Sequence, residues 1–150
     1  MPKEPRFCAN RNLGRLARWL RILGYDTLFL PQSTDRDLLA HRDDGRIVLT
    51  RKTKLKGQPG VVFIAPDDPH QQLFKVVAAM KLVPEARLSR CSACNLDLVE
   101  AQAEDVEATV PEHVRLTQRH FRRCPSCGRI YWPGSHVERM RAHLQQPREM

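Results

Sequence analysis

The stretch RIVLTRKTKLKGQPGVVFIA, residues 46–65, decides the fold class of this 150-residue chain. It holds two short runs that are almost entirely apolar, Arg46–Thr50 and Val61–Ala65, with a basic segment between them. Apolar runs without alternation are typical of strands buried on both faces of a parallel sheet, because helices cover both sides of such a sheet. The stretch therefore predicts two buried strands of an α/β domain.

Strand and helix patterns alternate on both sides of this stretch. The predicted strands are Arg6–Ala9 and Thr27–Leu30, and the predicted helices are residues 13–23, a short one after Ser33–Asp37, and Pro69–Leu82. Asn12 is expected to cap the first helix, and Pro84 is expected to end the last one. Strands that alternate with helices imply right-handed crossovers and a mostly parallel sheet, so residues 1–87 are expected to form one α/β domain.

Polar residues follow each predicted strand. In open parallel sheets, functional groups gather beyond the carboxyl ends of the strands. Those ends carry Asn10, the segment Pro31–Asp37, the pair Arg51-Lys52, and the acids Asp67 and Asp68. We therefore expect a functional site at this edge of the sheet.

The positive charge of the chain is concentrated in its first part. The net charge is +8, and residues 1–88 contain 16 Lys and Arg against 9 Asp and Glu, a balance of +7. Residues 89–150 are close to neutral, with 9 against 8. Such an excess favours a polyanionic partner, most simply nucleic acid, since phosphates neutralised by Lys and Arg release counterions. The alternative is a basic surface without a specific partner.

Two groups of basic residues are the predicted nucleic-acid contacts. The first recurs at steps of three and four along the first predicted helix, opposite its leucines: Arg11, Arg15, Arg18 and Arg21. The second follows the first strand of the central stretch: Arg51, Lys52, Lys54 and Lys56. A solvated helix face has the same pattern, so the arginine stripe supports RNA binding without requiring it.

Four of the five cysteines form two CxxC pairs, Cys91 with Cys94 and Cys124 with Cys127. A two-residue spacer lets both sulfurs of a pair face one ion, and two such pairs predict a zinc site with four thiolate ligands. Four thiolates leave no open position, so the zinc is expected to be structural. A redox-active CxxC is the alternative. Cys8 lies in an apolar segment and is expected to be a buried, inert thiol.

The 29 residues between the two pairs, acidic at Glu100–Glu107, are interpreted as an insertion in a zinc ribbon that is partly helical. Residues 88–150 are expected to form this ribbon with a C-terminal helix. The histidines of this part are not needed as ligands: His113, His120, His136 and His143. The aromatic residues Phe121, Tyr131 and Trp132 either stack on unpaired bases or, as we favour, pack the ribbon against the α/β domain.

No apolar run approaches the roughly 20 residues that span a bilayer. The first ten residues lack the apolar core of a signal peptide. Cysteines in CxxC pairs fit a reducing compartment better than a disulfide framework. We therefore expect a cytoplasmic protein without a membrane partner.

Three segments together resemble the RNase-domain family named for the C-terminal part of the exonuclease Mut-seven: LGRLARWLRILGYDT (Leu13–Thr27), GRIVLTR (Gly45–Arg51), and RCSACN with FRRCPSCGRIYWPGSH (Phe121–His136). The resemblance extends roughly from Phe7 to Leu144. It implies a PIN-like, three-layer nuclease fold with a C-terminal zinc ribbon. It also implies RNA hydrolysis by carboxylates that hold one or two Mg²⁺ or Mn²⁺ ions.

The resemblance places the family's acidic residues at three positions of this sequence. They correspond to Asn10 after the first strand, Asp37 or its neighbour Asp35 at the second helix, and Lys52 after the LTR strand. Only the middle position carries a carboxylate here. A neutral amide and an ammonium at the other two make Mg²⁺ or Mn²⁺ binding weak and favour phosphate instead.

Three functional hypotheses follow from the sequence. The first is an RNA-binding protein whose metal-dependent catalysis is impaired. The second is an active endoribonuclease that uses Asp35, Asp37 and a compensating acid, Asp67 or Asp68. The third is a protein-interaction module whose zinc ribbon is the contact surface.

Overall fold

The computed structural model describes residues 4–83 and 87–134. Pro84, His136, His143 and the predicted C-terminal helix lie outside the described residues. The first sheet contains four parallel strands in the order β2-β1-β3-β4: β1 (Phe7–Ala9), β2 (Thr27–Phe29), β3 (Ile47–Thr50) and β4 (Val61–Phe63). The prediction of a mostly parallel α/β sheet is confirmed.

Helices cover both faces of this sheet and make three layers. They are α1 (Gly14–Ile22), α2 (Asp35–Asp43) and α3 (Pro69–Met80), with a 3-10 turn at Thr53–Leu55. On one face, Phe7 and Leu49 of the sheet pack with Leu16 of α1 and Val76 of α3. On the other face, Cys8 and Val48 pack with Leu38 of α2 and Leu55. Cys8 is fully buried, as predicted, and burial raises the pKa of its thiol to about 11.

The order of the strands creates a point where the chain changes direction. From β1 the chain passes through α1 to β2 on one side, then through α2 to β3 on the other side of β1. Loops that leave β1 and β3 therefore diverge above their carboxyl ends. In open α/β sheets, ligands bind in the crevice at such a switch point.

A smaller antiparallel sheet follows in the cysteine-containing part. It contains β5 (Val99–Glu100), β6 (Arg122–Arg123) and β7 (Ile130–Tyr131), in that order. Two short helices, α4 (Ala103–Thr109) and α5 (Glu112–Thr117), lie between β5 and β6. The insertion between the cysteine pairs is thus partly helical, as predicted. The domain division at residues 87 and 88 falls between the two sheets and stays a prediction.

Three local predictions were wrong. Asn12 does not cap α1: it adopts φ 68°, and Leu13 occupies the cap position without a side-chain hydrogen bond. Arg11 therefore precedes the helix instead of continuing its basic stripe. The strand at Val61 is an edge strand and only half-buried, because β3 is its one neighbour in the sheet.

Among the described residues, no helix is long and apolar enough to cross a bilayer.

Candidate functional site

The two cysteine pairs converge on one point. The Sγ atoms of Cys91, Cys94, Cys124 and Cys127 all lie within 4.8 Å of one another, and Cys91 Sγ is 3.7 Å from Cys127 Sγ. An ion bound tetrahedrally at a Zn–S distance of about 2.3 Å places its sulfurs about 3.8 Å apart. Both the donor set and the spacing therefore fit a single zinc ion.

Backbone amides of each turn point at the sulfurs. The N–H of Cys94 donates to Cys91 Sγ (3.3 Å), and the N–H of Ser126 donates to Cys124 Sγ (3.4 Å). The N–H of Arg129 lowers the pKa of Cys127 to about 6, because it donates to the thiolate. Gly128 has φ 79°, which places the chain in the left-handed region that glycine adopts without strain. These donors favour thiolates, the form that binds metal.

The first cysteine pair is attached to the edge of the parallel sheet. Arg21 of α1 donates from Nε to the carbonyl of Thr27 (2.8 Å) and from Nη1 to the carbonyl of Ser92 (2.9 Å). Asn95 accepts from the N–H of Thr27 (3.0 Å) and donates to Asp26 (2.8 Å). Arg21 is partly buried in this contact, so the structure places it between the two modules rather than on a free basic face.

A cleft of about 310 Å³ lies at the carboxyl edge of the parallel sheet. Asn10, Arg11 and Asn12 after β1, Pro31 and Ser33 after β2, and Arg51 and Lys52 after β3 line it. Three of these side chains are cationic and none is a carboxylate. The structure thus brings two predicted catalytic positions, Asn10 and Lys52, together at the switch point of the sheet.

Asp35, the first residue of α2, is held by two lysines, and one of them, Lys52, lines the cleft. Its carboxylate lies 2.6 Å from Lys52 Nζ and 3.5 Å from Lys54 Nζ. The hydrogen bond from Lys52 lowers the pKa of Asp35 below its ordinary value. The carboxylate is therefore ionised and already paired with protein cations.

The other predicted acids also have partners within the protein. Asp37 accepts a hydrogen bond from the N–H of Thr34 in a capping box, and the Thr34 hydroxyl and N–H lower the pKa of Asp37. Asp67 forms an ion pair with Arg51 while its side chain stays 89% exposed. Asp68 caps α3 by accepting from the N–H of Gln71.

The remaining predicted RNA contacts lie on the surface. Arg15 and Arg18 are exposed on α1, and Lys54 is exposed beside Asp35. Arg11 is exposed and donates to the carbonyl of Pro31, and Lys56 lies over the ring of Phe63 at 5.0 Å. Their role in nucleic-acid binding stays a prediction.

The aromatic residues of the ribbon pack within it. Phe121 and Trp132 have ring centroids 6.0 Å apart. The Tyr131 hydroxyl lies 3.1 Å from Cys91 Sγ and accepts from the N–H of Ser92 at 3.1 Å. Hydrogen bonds of Asn95 and Arg21 join the ribbon to the sheet, and packing of the aromatic residues against the α/β domain stays a prediction. Sequence reasoning missed Asn95, for which its place directly after the first cysteine pair is the only signal.

Fold and site together define the class: a parallel α/β domain with a polar carboxyl edge, joined to a ribbon whose four clustered cysteines fit a metal ion. The model of one family, the Mut7-C RNAse domain, matches residues 5–144, and the chain belongs to this family. The resemblance read from the sequence is thereby confirmed. Comparison with curated proteins and with solved structures gave no match.

Proposed function

We propose that this protein binds RNA through its first domain and has lost most metal-dependent RNA cleavage. The observation that carries the proposal is the contact of 2.6 Å between Lys52 Nζ and Asp35. An ammonium group lies beside a carboxylate at the position where an active family member holds a divalent cation. Membership in an RNase-domain family supports RNA as the substrate class.

The electrostatics of the cleft oppose a divalent metal. Two unit charges about 4 Å apart interact by about 4 kcal/mol at an effective dielectric of 20, and a divalent ion roughly doubles this repulsion from Lys52. Lys54, whose Nζ lies 3.5 Å from Asp35, adds to it. Asn10 offers a neutral amide where a carboxylate would attract the ion. The same field attracts phosphate.

RNA contact is assigned to the exposed cations near this edge. Arg15 and Arg18 lie on α1, which leads away from β1, and Lys54 and Lys56 lie in the loop after β3. Both groups belong to the first 88 residues, with their charge balance of +7. Arg21 is left out of this surface because its guanidinium group is bound to backbone carbonyls.

The four-cysteine site holds zinc in this proposal, and the ion stabilises the ribbon. The clustered thiolates and their amide donors support it, since a site of this kind gains its binding energy through folding. Four unoxidised thiols also fit a reducing compartment, and we place the protein in the cytoplasm.

Two assays on the full chain test the function. Binding of fluorescent single-stranded and structured RNA is measured by anisotropy between about 50 and 200 mM salt, where phosphate contacts make affinity fall steeply. Cleavage of the same RNAs is followed with Mn²⁺, beside Asp37→Ala. Salt-dependent binding with negligible cleavage supports the proposal. Rapid Mn²⁺-dependent cleavage that Asp37→Ala abolishes makes the protein an active endoribonuclease, and absence of RNA binding leaves the protein-interaction hypothesis.

A further inference from the structure

The cleft at the switch point has an unusual lining for the edge of a parallel sheet. Arg11, Arg51 and Lys52 line it and no carboxylate does, while Arg51 pairs with Asp67 and Lys52 with Asp35 beside the cleft. An ammonium group has three donors, so Lys52 can hold Asp35 and a ligand oxygen at the same time. With Lys54 beside Asp35, the four cations at and beside the cleft exceed the two paired carboxylates by two charges, so the field in the cleft favours an anion.

Asn10 adds a second, independent feature. Asn10 is 2% exposed and lines the cleft. Its Oδ1 atom is buried and has no hydrogen-bond partner among the described residues. A buried acceptor without a donor is costly, and such groups in native structures usually have a partner that completes them. A ligand that carries a hydroxyl or amide donor as well as negative charge would satisfy this acceptor.

We infer that this cleft binds the terminal phosphate monoester of an RNA chain, with a hydroxyl of the adjoining ribose donating to Asn10 Oδ1. The inference rests on the proposed RNA binding and names the part of the RNA that this site takes. Ribose supplies the donor that Asn10 lacks, and the phosphate meets Arg11 and Lys52. The 2′-hydroxyl also distinguishes RNA from DNA.

The charge of the lining favours a chain end over an internal phosphate. A phosphate monoester carries about −1.5 to −2 at pH 7, whereas a diester carries about −1. The excess of two positive charges at and beside the cleft matches the higher charge. The volume of about 310 Å³ lies at the lower end of the range of ligand sites, which suits one nucleotide rather than a duplex.

The test compares RNAs that differ only at their ends. Oligoribonucleotides with a 5′-phosphate, a 3′-phosphate or hydroxyls at both ends are titrated into the full chain. We expect one of the two phosphorylated RNAs to bind about tenfold tighter than the RNA with hydroxyls at both ends. Comparison of the 5′-phosphate RNA with the 3′-phosphate RNA identifies which end the cleft binds. A single 2′-deoxy substitution in the terminal nucleotide should lower the affinity of the phosphorylated RNA several-fold.

Two variants assign the preference to the cleft. Lys52→Gln should abolish the preference for the phosphorylated end, and Asn10→Leu, which keeps the size but removes the acceptor, should abolish the ribose preference. Lys75→Gln on α3 changes the same charge outside the cleft and should keep both preferences. Because a buried leucine can impair folding, Asn10→Asp is measured as well, and its added negative charge should weaken binding of the phosphorylated end.

The outcomes separate this inference from the proposed function. Salt-dependent RNA binding that is equal for all chain ends, with or without the variants, overturns the terminal-phosphate site and leaves RNA binding intact. Absence of RNA binding under every condition overturns both. Equal affinity of ribose and deoxyribose ends in the unmodified protein refutes the role of Asn10 even when the phosphate preference is present.

Discussion

The side-chain amide of Asn95, next to the first cysteine pair, accepts a hydrogen bond from the N–H of Thr27 at 3.0 Å. Thr27 begins the edge strand β2 and is fully buried. Its carbonyl is bound by Arg21, which also reaches the carbonyl of Ser92 within the cysteine turn. The contact with the cysteine-containing ribbon thus satisfies both backbone groups on the open side of this edge residue. Without the ribbon, this part of the sheet edge would be exposed.

Asn95→Ala removes this contact. It leaves the buried N–H of Thr27 without an acceptor, and we expect a loss of about 1–3 kcal/mol in the free energy of unfolding. For a chain of this size, each kcal/mol lowers Tm by about 2–4 °C. Calorimetry of the zinc-loaded protein measures the change.

Gln71→Ala, in an exposed position of α3, is the control and should leave Tm nearly unchanged. An Asn95→Ala protein with the Tm of the unmodified chain would contradict the docking role. In that event the ribbon is held by Arg21, whose guanidinium group binds the carbonyls of Thr27 and Ser92.

Metal content tests the four-cysteine site. Protein purified without added zinc should contain about one zinc per chain, and Cys91→Ser or Cys124→Ser should unfold the ribbon, because binding energy in such sites is largely folding energy. Metal analysis and NMR spectra of the ribbon residues provide the readouts. Cys8→Ala is the control, since Cys8 is buried under α2 and should leave the zinc in place. A ribbon that folds fully in strong chelator would refute the assignment.

The sequence predicted the elements of the parallel sheet because their apolar residues are continuous or helically spaced. The predicted strand Arg6–Ala9 is observed at Phe7–Ala9, and the predicted helix at Pro69 ends at Met80. The helix ends before Pro84 because Lys81 turns into the left-handed region, with φ 53°. The conformation of Asn12 and the edge position of the strand at Val61 depend on tertiary pairing, which periodicity does not encode.

The candidate site was predictable to a lesser degree. Regular CxxC spacing located the metal cluster, because the ligand pattern is local in sequence. Partners of the charged residues were not predictable, since Arg21 contacts Ser92 across 71 residues and Lys52 contacts Asp35 across 17. Arg21, for example, has the spacing of an exposed stripe but the environment of a structural contact.

The exposed arginines of α1 should control the salt dependence of RNA binding. Arg15→Ala with Arg18→Ala removes two cations, and for single-stranded RNA the slope of log K against log salt should flatten by about 1.4. Anisotropy titrations at several salt concentrations measure this slope. Arg115→Ala with Arg119→Ala, an exposed pair beside α5, alters the net charge equally and should leave the slope almost unchanged. An identical slope in both double variants would make the stripe a solvated face.

The stabilisation of the N-terminus of α2 by Asp37 depends on pH. Hydrogen bonds from Thr34 lower the pKa of Asp37 below its ordinary value of 3.8. Its stabilisation is therefore fully present above pH 3.8 and is lost as the pH falls through the lower pKa of the folded state. Asp37→Ala should be less stable than the unmodified protein at neutral pH, and the two should converge in acid. Denaturant unfolding at neutral and at acidic pH measures the free energy of unfolding of both proteins. Asp37→Asn is the control that keeps a hydrogen-bond acceptor. A difference in unfolding free energy that stays constant at all pH values would contradict this prediction.

The proposed loss of catalysis rests on the two cleft positions that lack carboxylates. Asn10 lies after β1 and Lys52 after β3, on neighbouring strands of the sheet. A metal-dependent phosphodiesterase needs several carboxylates to bring a divalent cation close to phosphate. Because Lys52 pairs with Asp35 at 2.6 Å, we expect this carboxylate to be a poor metal ligand in the unmodified protein.

We therefore expect Asn10→Asp combined with Lys52→Asp to raise Mn²⁺ affinity and to create or increase RNase activity. The double change places two carboxylates in the cleft and releases Asp35, beside it, from Lys52. Either single change should do less, since both groups share one metal and their effects do not add. Isothermal titration with Mn²⁺ and a cleavage assay measure the result, and the unmodified protein should bind Mn²⁺ only at about millimolar levels or not at all.

Lys75→Asp is the control for net charge and should gain neither property. Robust cleavage by the unmodified protein would mean that Asp67 or Asp68 supplies the missing ligand, because these acids follow the next strand of the same sheet.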